Sequence, residues 1–219
     1  MTKLLMALMQ LLVTVAYNTG TVRPVICAFS IVALAALAGA ASAVPAPVLT
    51  IVLEFLGPHT DRSIAAMKVE LEALIKGSGL NVDWRTRGQG REESAGNLIL
   101  VRFKGKCVLE PVPFLYDERG PLAFTYSTNG EVLPFSEVAC DRVVATARSA
   151  MSGADFAQAD LLLGRALGRV VAHELVHILS KSSAHGREGV AQAALSGLRL
   201  IAPEMHLSPA DLERIYTQP

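Results

Sequence analysis

"VVAHELVHILSKSSAHG", residues 170–186, holds three of the chain's five histidines. His173 and His177 stand four apart, with Glu174 beside the first. On a helix, residues at that spacing project from one face about one turn apart. Two imidazole nitrogens so placed can meet a single Zn²⁺ at roughly 2.0–2.1 Å each. Glu174 falls about 100° further round the helix, so its carboxylate reaches past a metal toward bound water. This is the H-E-x-x-H arrangement, whose chemistry is metal-assisted hydrolysis with the glutamate as general base.

The bland alternative is an amphipathic helix that happens to carry imidazoles. A helical pattern does run from Asp155 to about Ser180, with Leu163, Leu167, Val171, Leu175 and Ile178 along one side. Glu174 lies within or beside that apolar side. An unpaired carboxylate is costly to bury there, whereas zinc and its water account for it. Catalytic zinc usually keeps three protein ligands and one open position. His185 is the best third candidate, because the helix can end near Ser180 to Ser183 and Gly186 permits a sharp return. Glu188, three residues further on, stays open as the runner-up. His206, next to Met205, and His59 read as ordinary surface histidines.

Upstream of this stretch the order is strand, helix, strand, strand. "VLTIVLEFL" (48–56) is rich in β-branched and apolar residues and is bounded by Gly57-Pro58, as for a buried strand. Ile64, Met67, Leu71 and Leu74 then repeat at helical spacing, with Thr60 or Asp61 as cap and Gly77 and Gly79 at the end. "NVDWRTR" and "NLILVRFKG" (97–105) read as strands separated by the polar loop "GQGREESAG". Pro111, Pro113 and Pro121, with the turn "STNGE", predict a loop and a short hairpin containing "LAFTYS". "VLPFSEVACDRVVATARSAM" passes from strand to helix at an undetermined point. Downstream, a helical stretch is expected over Val190 to Leu200, and Ser208-Pro209 with Glu213 marks the start of a last short helix.

Hydrophobic residues make up 51% of the 219, and lysine plus arginine balance aspartate plus glutamate at 20 each. No basic cluster or basic-aromatic stripe is visible, which argues against nucleic acid as a partner. The apolar excess sits in the first 43 residues, which contain no Asp or Glu. "VRPVICAFSIVALAALAGAASAVPAP" has one arginine, an apolar run from about Val25 to Leu37, then Ala41-Ser42-Ala43, the pattern of a secretory signal. Cleavage after Ala43 is expected, leaving a single domain from Val44 to Pro219. A second apolar stretch, Leu4 to Tyr17, precedes it and is short for a bilayer span. It fits a true start near Val22, or a retained membrane anchor. Of the three cysteines, Cys107 and Cys140 lie beyond the signal. They form either a disulfide in an oxidising compartment or two buried thiols.

With "HELVH" on a helix after a strand-helix-strand-strand run, the chain resembles the zincin metallopeptidases. The downstream histidine makes it most similar to the metzincin-like branch. The resemblance implies an α+β zincin-like fold: a small mixed sheet, a backing helix, a long active-site helix and a short C-terminal helical part. It further implies His173, His177 and His185 as zinc ligands and Glu174 as catalytic acid/base. Seven residues, "ILSKSSA", separate His177 from His185, where the metzincin pattern has five with a glycine among them, and Met205 is no clear methionine turn. The stretch is also similar to small exported bacterial zincin-like proteins with a His-Gly pair after a longer loop.

The function expected on these grounds is an exported, periplasmic or secreted, zinc-dependent hydrolase acting on a peptide or protein substrate. Tyr216 is a candidate for steadying the oxyanion only through its place near the chain end. A non-catalytic zinc-stabilised or partner-binding domain is the alternative. A membrane-tethered protein retaining residues 4–37 is a third reading.

Overall fold

The computed structural model describes residues 47–87, 98–110 and 120–216. The signal and start-site expectations, the polar loop at 88–96 and the prolines at 111 and 113 lie outside the described residues. Ala46–Pro219 forms one compact unit. Its architecture is α+β, a five-stranded mixed sheet with several helices.

The sheet follows the apolar runs. Strands β1 (Val48–Phe55), β2 (Asn81–Thr86) and β3 (Leu98–Lys104) lie parallel in the order β2-β1-β3. Strand β5 (Glu131–Ala139) continues the parallel set beside β3, and β4 (Ala123–Thr128) pairs antiparallel with β5 at the edge. In β3, Ile99, Val101 and Phe103 are buried while Leu98 and Lys104 are exposed, an alternation that marks one face as core. The β4–β5 turn has Asn129 and Gly130 both at positive φ, 52° and 83°, as the tight hairpin turns require. Ladder register shifts between Thr125 and Ser127, opposite the stretch of β5 that contains Pro134. Proline has no N–H to give to a ladder, and such positions become bulges.

Helix α1 (Asp61–Ile75) is capped by Thr60, whose hydroxyl accepts from Ser63 N at 3.1 Å. Its apolar side buries Ile64, Met67, Leu71 and Leu74 as the spacing predicted. Chain continues after β5 directly into α2 (Cys140–Ser149), so the strand-to-helix change in "SEVACDRVV" falls between Ala139 and Cys140. Cys140 is disulfide-bonded to Cys107 with a Cα–Cα separation of 4.9 Å, both buried. That resolves the thiol alternative in favour of the bridge.

The long helix α3 (Ala159–Leu179) follows a 3₁₀ turn at Gly153–Gln158. The predicted row Leu163, Leu167, Val171, Leu175 and Ile178 is buried throughout. Burial extends round most of the circumference from Leu162 onward, including Arg169, Glu174 and His177. A helix so enclosed is a central element rather than a surface one. It approaches α1 closely because Gly164 and Gly168 face it. A Cβ at Gly164 would meet Ser63 O and Ala66 Cβ, and one at Gly168 would stand 2.8 Å from Met67 O. Arg169, fully buried, crosses the same contact to Glu70 at 2.7 Å and donates to Arg199 O at 2.5 Å.

After α3 the structure departs from the expectation of a helix over Val190 to Leu200. A 3₁₀ turn at Gly189–Ala191 is followed by extended backbone at Gln192 and then by α4 (Gly197–Ile201). Gly189 at φ +66° breaks the helical path. The backbone of Val190 is used elsewhere: its N–H donates to His206 O at 3.0 Å and its carbonyl accepts from a ring. The final helix α5 (Pro209–Tyr216) starts at Ser208 as expected, but the reciprocal cap closes through Asp211, not Glu213. Asp211 sits three residues after the cap, where its carboxylate can return to the Ser208 N–H. No helix among the described residues is long and apolar enough to cross a membrane.

Candidate metal centre

His173 and His177 occupy the last turns of α3, and His185 stands on the loop that follows. One nitrogen from each of the three lies within 4.8 Å of the others, close enough to bind a metal ion. The ring centroids are 4.8 Å (173–177), 5.2 Å (173–185) and 4.9 Å (177–185) apart. His177 is buried, His173 half-buried and His185 exposed.

Hydrogen bonding fixes the tautomers of the two helix histidines. His173 Nδ1 donates to Val190 O at 2.9 Å, and His177 Nδ1 donates to Ser182 O at 2.8 Å. A carbonyl can only accept, so in each neutral ring the proton sits on Nδ1 and Nε2 carries a lone pair. The two Nε2 atoms then point at each other across 3.1 Å. Facing lone pairs repel unless a cation or a proton lies between them. Burial holds both imidazoles below their ordinary 6.5, against the raising effect of the carbonyl bonds, and so disfavours the proton. A metal ion fits the remaining option. Nitrogens 3.1 Å apart are close enough to share one ion, and His173, His177 and His185 are the residues that would hold it.

Glu174 points to the other side of the same cleft. It is 3% exposed, and its Oε2 accepts from the Thr125 hydroxyl at 2.6 Å. Thr125 lies on the edge strand β4, so the carboxylate is pinned between helix and sheet. Burial pushes the Glu174 carboxyl above its ordinary 4.5, with the Thr125 bond and then the neighbouring histidines pulling against it. The cleft has a volume of about 590 Å³. Its walls include Val132, Val170, Leu122 and Leu195 beyond the histidines, and Phe124 on β4.

The other sequence candidates lie elsewhere. Glu188 is exposed on the loop and is not part of the histidine group. His206 is exposed, and its carbonyl accepts from the Val190 N–H. His59 stacks on Phe55 at 4.0 Å and lines a separate cleft with Arg87 and Lys68. The Tyr216 hydroxyl donates to Gly77 O at 3.0 Å, beyond the end of α1, and so has no place in the cleft. Thr125 escaped the sequence reading because "LAFTYS" shows only a strand; which α3 residue a β4 hydroxyl meets depends on how helix and sheet pack. The carbonyls of Ser182 and Val190 carry no sequence signal at all.

No protein-family model matches the chain, and no curated protein matches it in sequence.

Proposed function

We propose that the protein is a zinc-dependent hydrolase of the zincin type, acting on peptide bonds. The observation that carries this reading is the pair of bare Nε2 atoms converging beside a buried glutamate. Three imidazoles without a thiolate suit zinc at a catalytic centre with an open position. When bound, zinc supplies Lewis acidity toward a carbonyl and lowers the pKa of water to about 7. Thr125 holds one oxygen of Glu174, so the carboxylate is oriented to take a proton from an attacking water. Its raised pKa brings the base closer to neutral pH, which favours proton transfer in both directions. The same carboxyl then delivers that proton to the leaving amine.

The sheet supports a peptide as substrate. Strand β4 is the edge of the sheet and lines the cleft through Ala123, Thr125 and Ser127. An extended chain can add to such an edge by main-chain hydrogen bonds, and the apolar wall offers room for an apolar side chain next to the histidines.

The test is metal analysis of the purified protein together with hydrolysis of a fluorogenic peptide library. One zinc per chain, lost in His177→Ala, with cleavage abolished in Glu174→Gln that still holds zinc, is the expected result. Zinc uptake without hydrolysis of any peptide makes the site structural and overturns the catalytic reading.

A further inference from the structure

Among the described residues no hydrogen bond holds the ring of His185, unlike those of His173 and His177. Its position therefore comes from the backbone on either side. The Ala184 carbonyl accepts from Arg214 Nη1 at 3.0 Å. The Gly186 N–H donates to Ala191 O at 2.8 Å. Gly186 also lies directly against Asp211, since a Cβ there would stand 2.8 Å from Oδ1 and 3.1 Å from Oδ2. Arg214 Nη2 donates to Asp211 Oδ1 at 2.6 Å. Asp211, 1% exposed, takes the Ser208 hydroxyl on Oδ2 at 2.7 Å.

We infer that Arg214, locked by Asp211, is a positioning residue that sets the third metal ligand from the C-terminal helix. The inference rests on the metal reading above. Capping of α5 needs only Ser208 and Asp211. The bond from Arg214 to Ala184 adds nothing to that cap and ties the loop to α5 directly beside His185. Arginine suits the task because its planar fork offers two donors in fixed relation, one for a carboxylate and one for a carbonyl. A buried carboxylate also calls for a cation partner, so Asp211 fixes the guanidinium and the guanidinium fixes the loop. Gly186 allows the loop to pass against the carboxylate that anchors it. Thus an exposed ligand on a loop becomes as determined as the two on the helix.

Partners of this kind outside the ligand shell change metal affinity by about 10–100-fold. The experiment compares the full-length wild type with Arg214→Ala and Arg214→Lys. Zinc affinity is read by competition with a chromophoric chelator, and amide hydrogen exchange is read in the metal-free proteins. Arg214→Lys keeps a cation beside Asp211 but loses the fork, so it guards against simple misfolding. The expected result is about 10–100-fold weaker zinc in Arg214→Ala, a smaller loss in Arg214→Lys, and faster exchange at Ala184 and Gly186 in both. Zinc affinity within twofold of wild type in both variants, with unchanged exchange there, reduces Arg214 to a helix-end contact and overturns the inference. Wild type that takes up no zinc sinks the metal reading instead; the exchange rates then decide the clamp on their own.

Discussion

His173 Nε2 and His177 Nε2 face each other at 3.1 Å, each with its proton committed to a carbonyl through Nδ1. In the metal-free protein this arrangement makes stability depend on pH. The folded histidines lie below 6.5 and the unfolded ones near it. Between those values the unfolded chain binds more protons, so stability rises with pH up to about 6.5 and is lost as pH falls through the folded values. Chemical denaturation of the metal-free protein from pH 5 to 7.5 should show that rise. Replacing both histidines by glutamine should flatten it.

Glu174 acts in the opposite sense. Its folded pKa is raised above 4.5, so the folded state holds the proton more tightly, and stability falls as pH rises from 4.5 through the folded value. Glu174→Gln removes that loss. The metal-free variant should match wild type near pH 4 and be the more stable protein at pH 7. A variant less stable than wild type at pH 7 would mean that the carboxylate is stabilised there by more than Thr125.

Thr125→Val removes a hydrogen bond that pulls the Glu174 pKa down. Hydrogen bonds to charged groups are worth about 1.5–3 kcal/mol, so the carboxyl should titrate higher. If the proposed hydrolysis occurs, the acid limb of its pH profile should move to higher pH, and Thr125→Ser should restore it. An unchanged limb in the valine variant separates Thr125 from the base.

Much of this was legible from the residues. "VLTIVLEFL" announced a buried strand and "NLILVRFKG" a strand, because parallel sheets need apolar runs. The histidine spacing pointed to His173, His177 and His185 as one group, and they are one; Gly186 matters beside them for its close approach to Asp211, not for a left-handed turn. What failed was decided by partners remote in sequence. The Val190 backbone serves His173 and His206 instead of a helix, and Tyr216 finds the Gly77 carbonyl through the docking of α5. Such pairings leave no periodicity to read.

The Cys107–Cys140 bridge closes a loop with a sequence separation of 33. In the chain-entropy account that is worth roughly 3–4 kcal/mol. For a chain of this size, reduction should lower the melting temperature by roughly 6–15 °C. Differential scanning calorimetry with and without reductant measures it, after mass spectrometry has shown the linked peptides. Two freely alkylated thiols in the native protein would refute the pairing.

The last expectation concerns the close approach of α3 to α1, on which the whole centre depends. Alanine is ordinarily better than glycine inside a helix by about 1 kcal/mol, so Gly164→Ala would stabilise a free helix. Here the added methyl meets backbone, the Ser63 carbonyl and the Met67 nitrogen, together with Ala66 Cβ at 2.5 Å. Backbone cannot swing aside as a long side chain can. Overpacking of this kind costs about 1–3 kcal/mol, so the sign reverses and the variant should be net destabilised. Gly77→Ala is the control, since its new Cβ would meet only Leu212 Cδ1 at an ordinary 3.5 Å. That substitution should be neutral or stabilising by under about 1 kcal/mol. Because His173 and His177 ride on the same helix, Gly164→Ala should also weaken the proposed zinc binding, while Gly77→Ala leaves it unchanged. Urea denaturation and zinc competition on the two variants read both effects. Equal stability of Gly164→Ala and wild type would show that α3 can shift away from α1 at no cost.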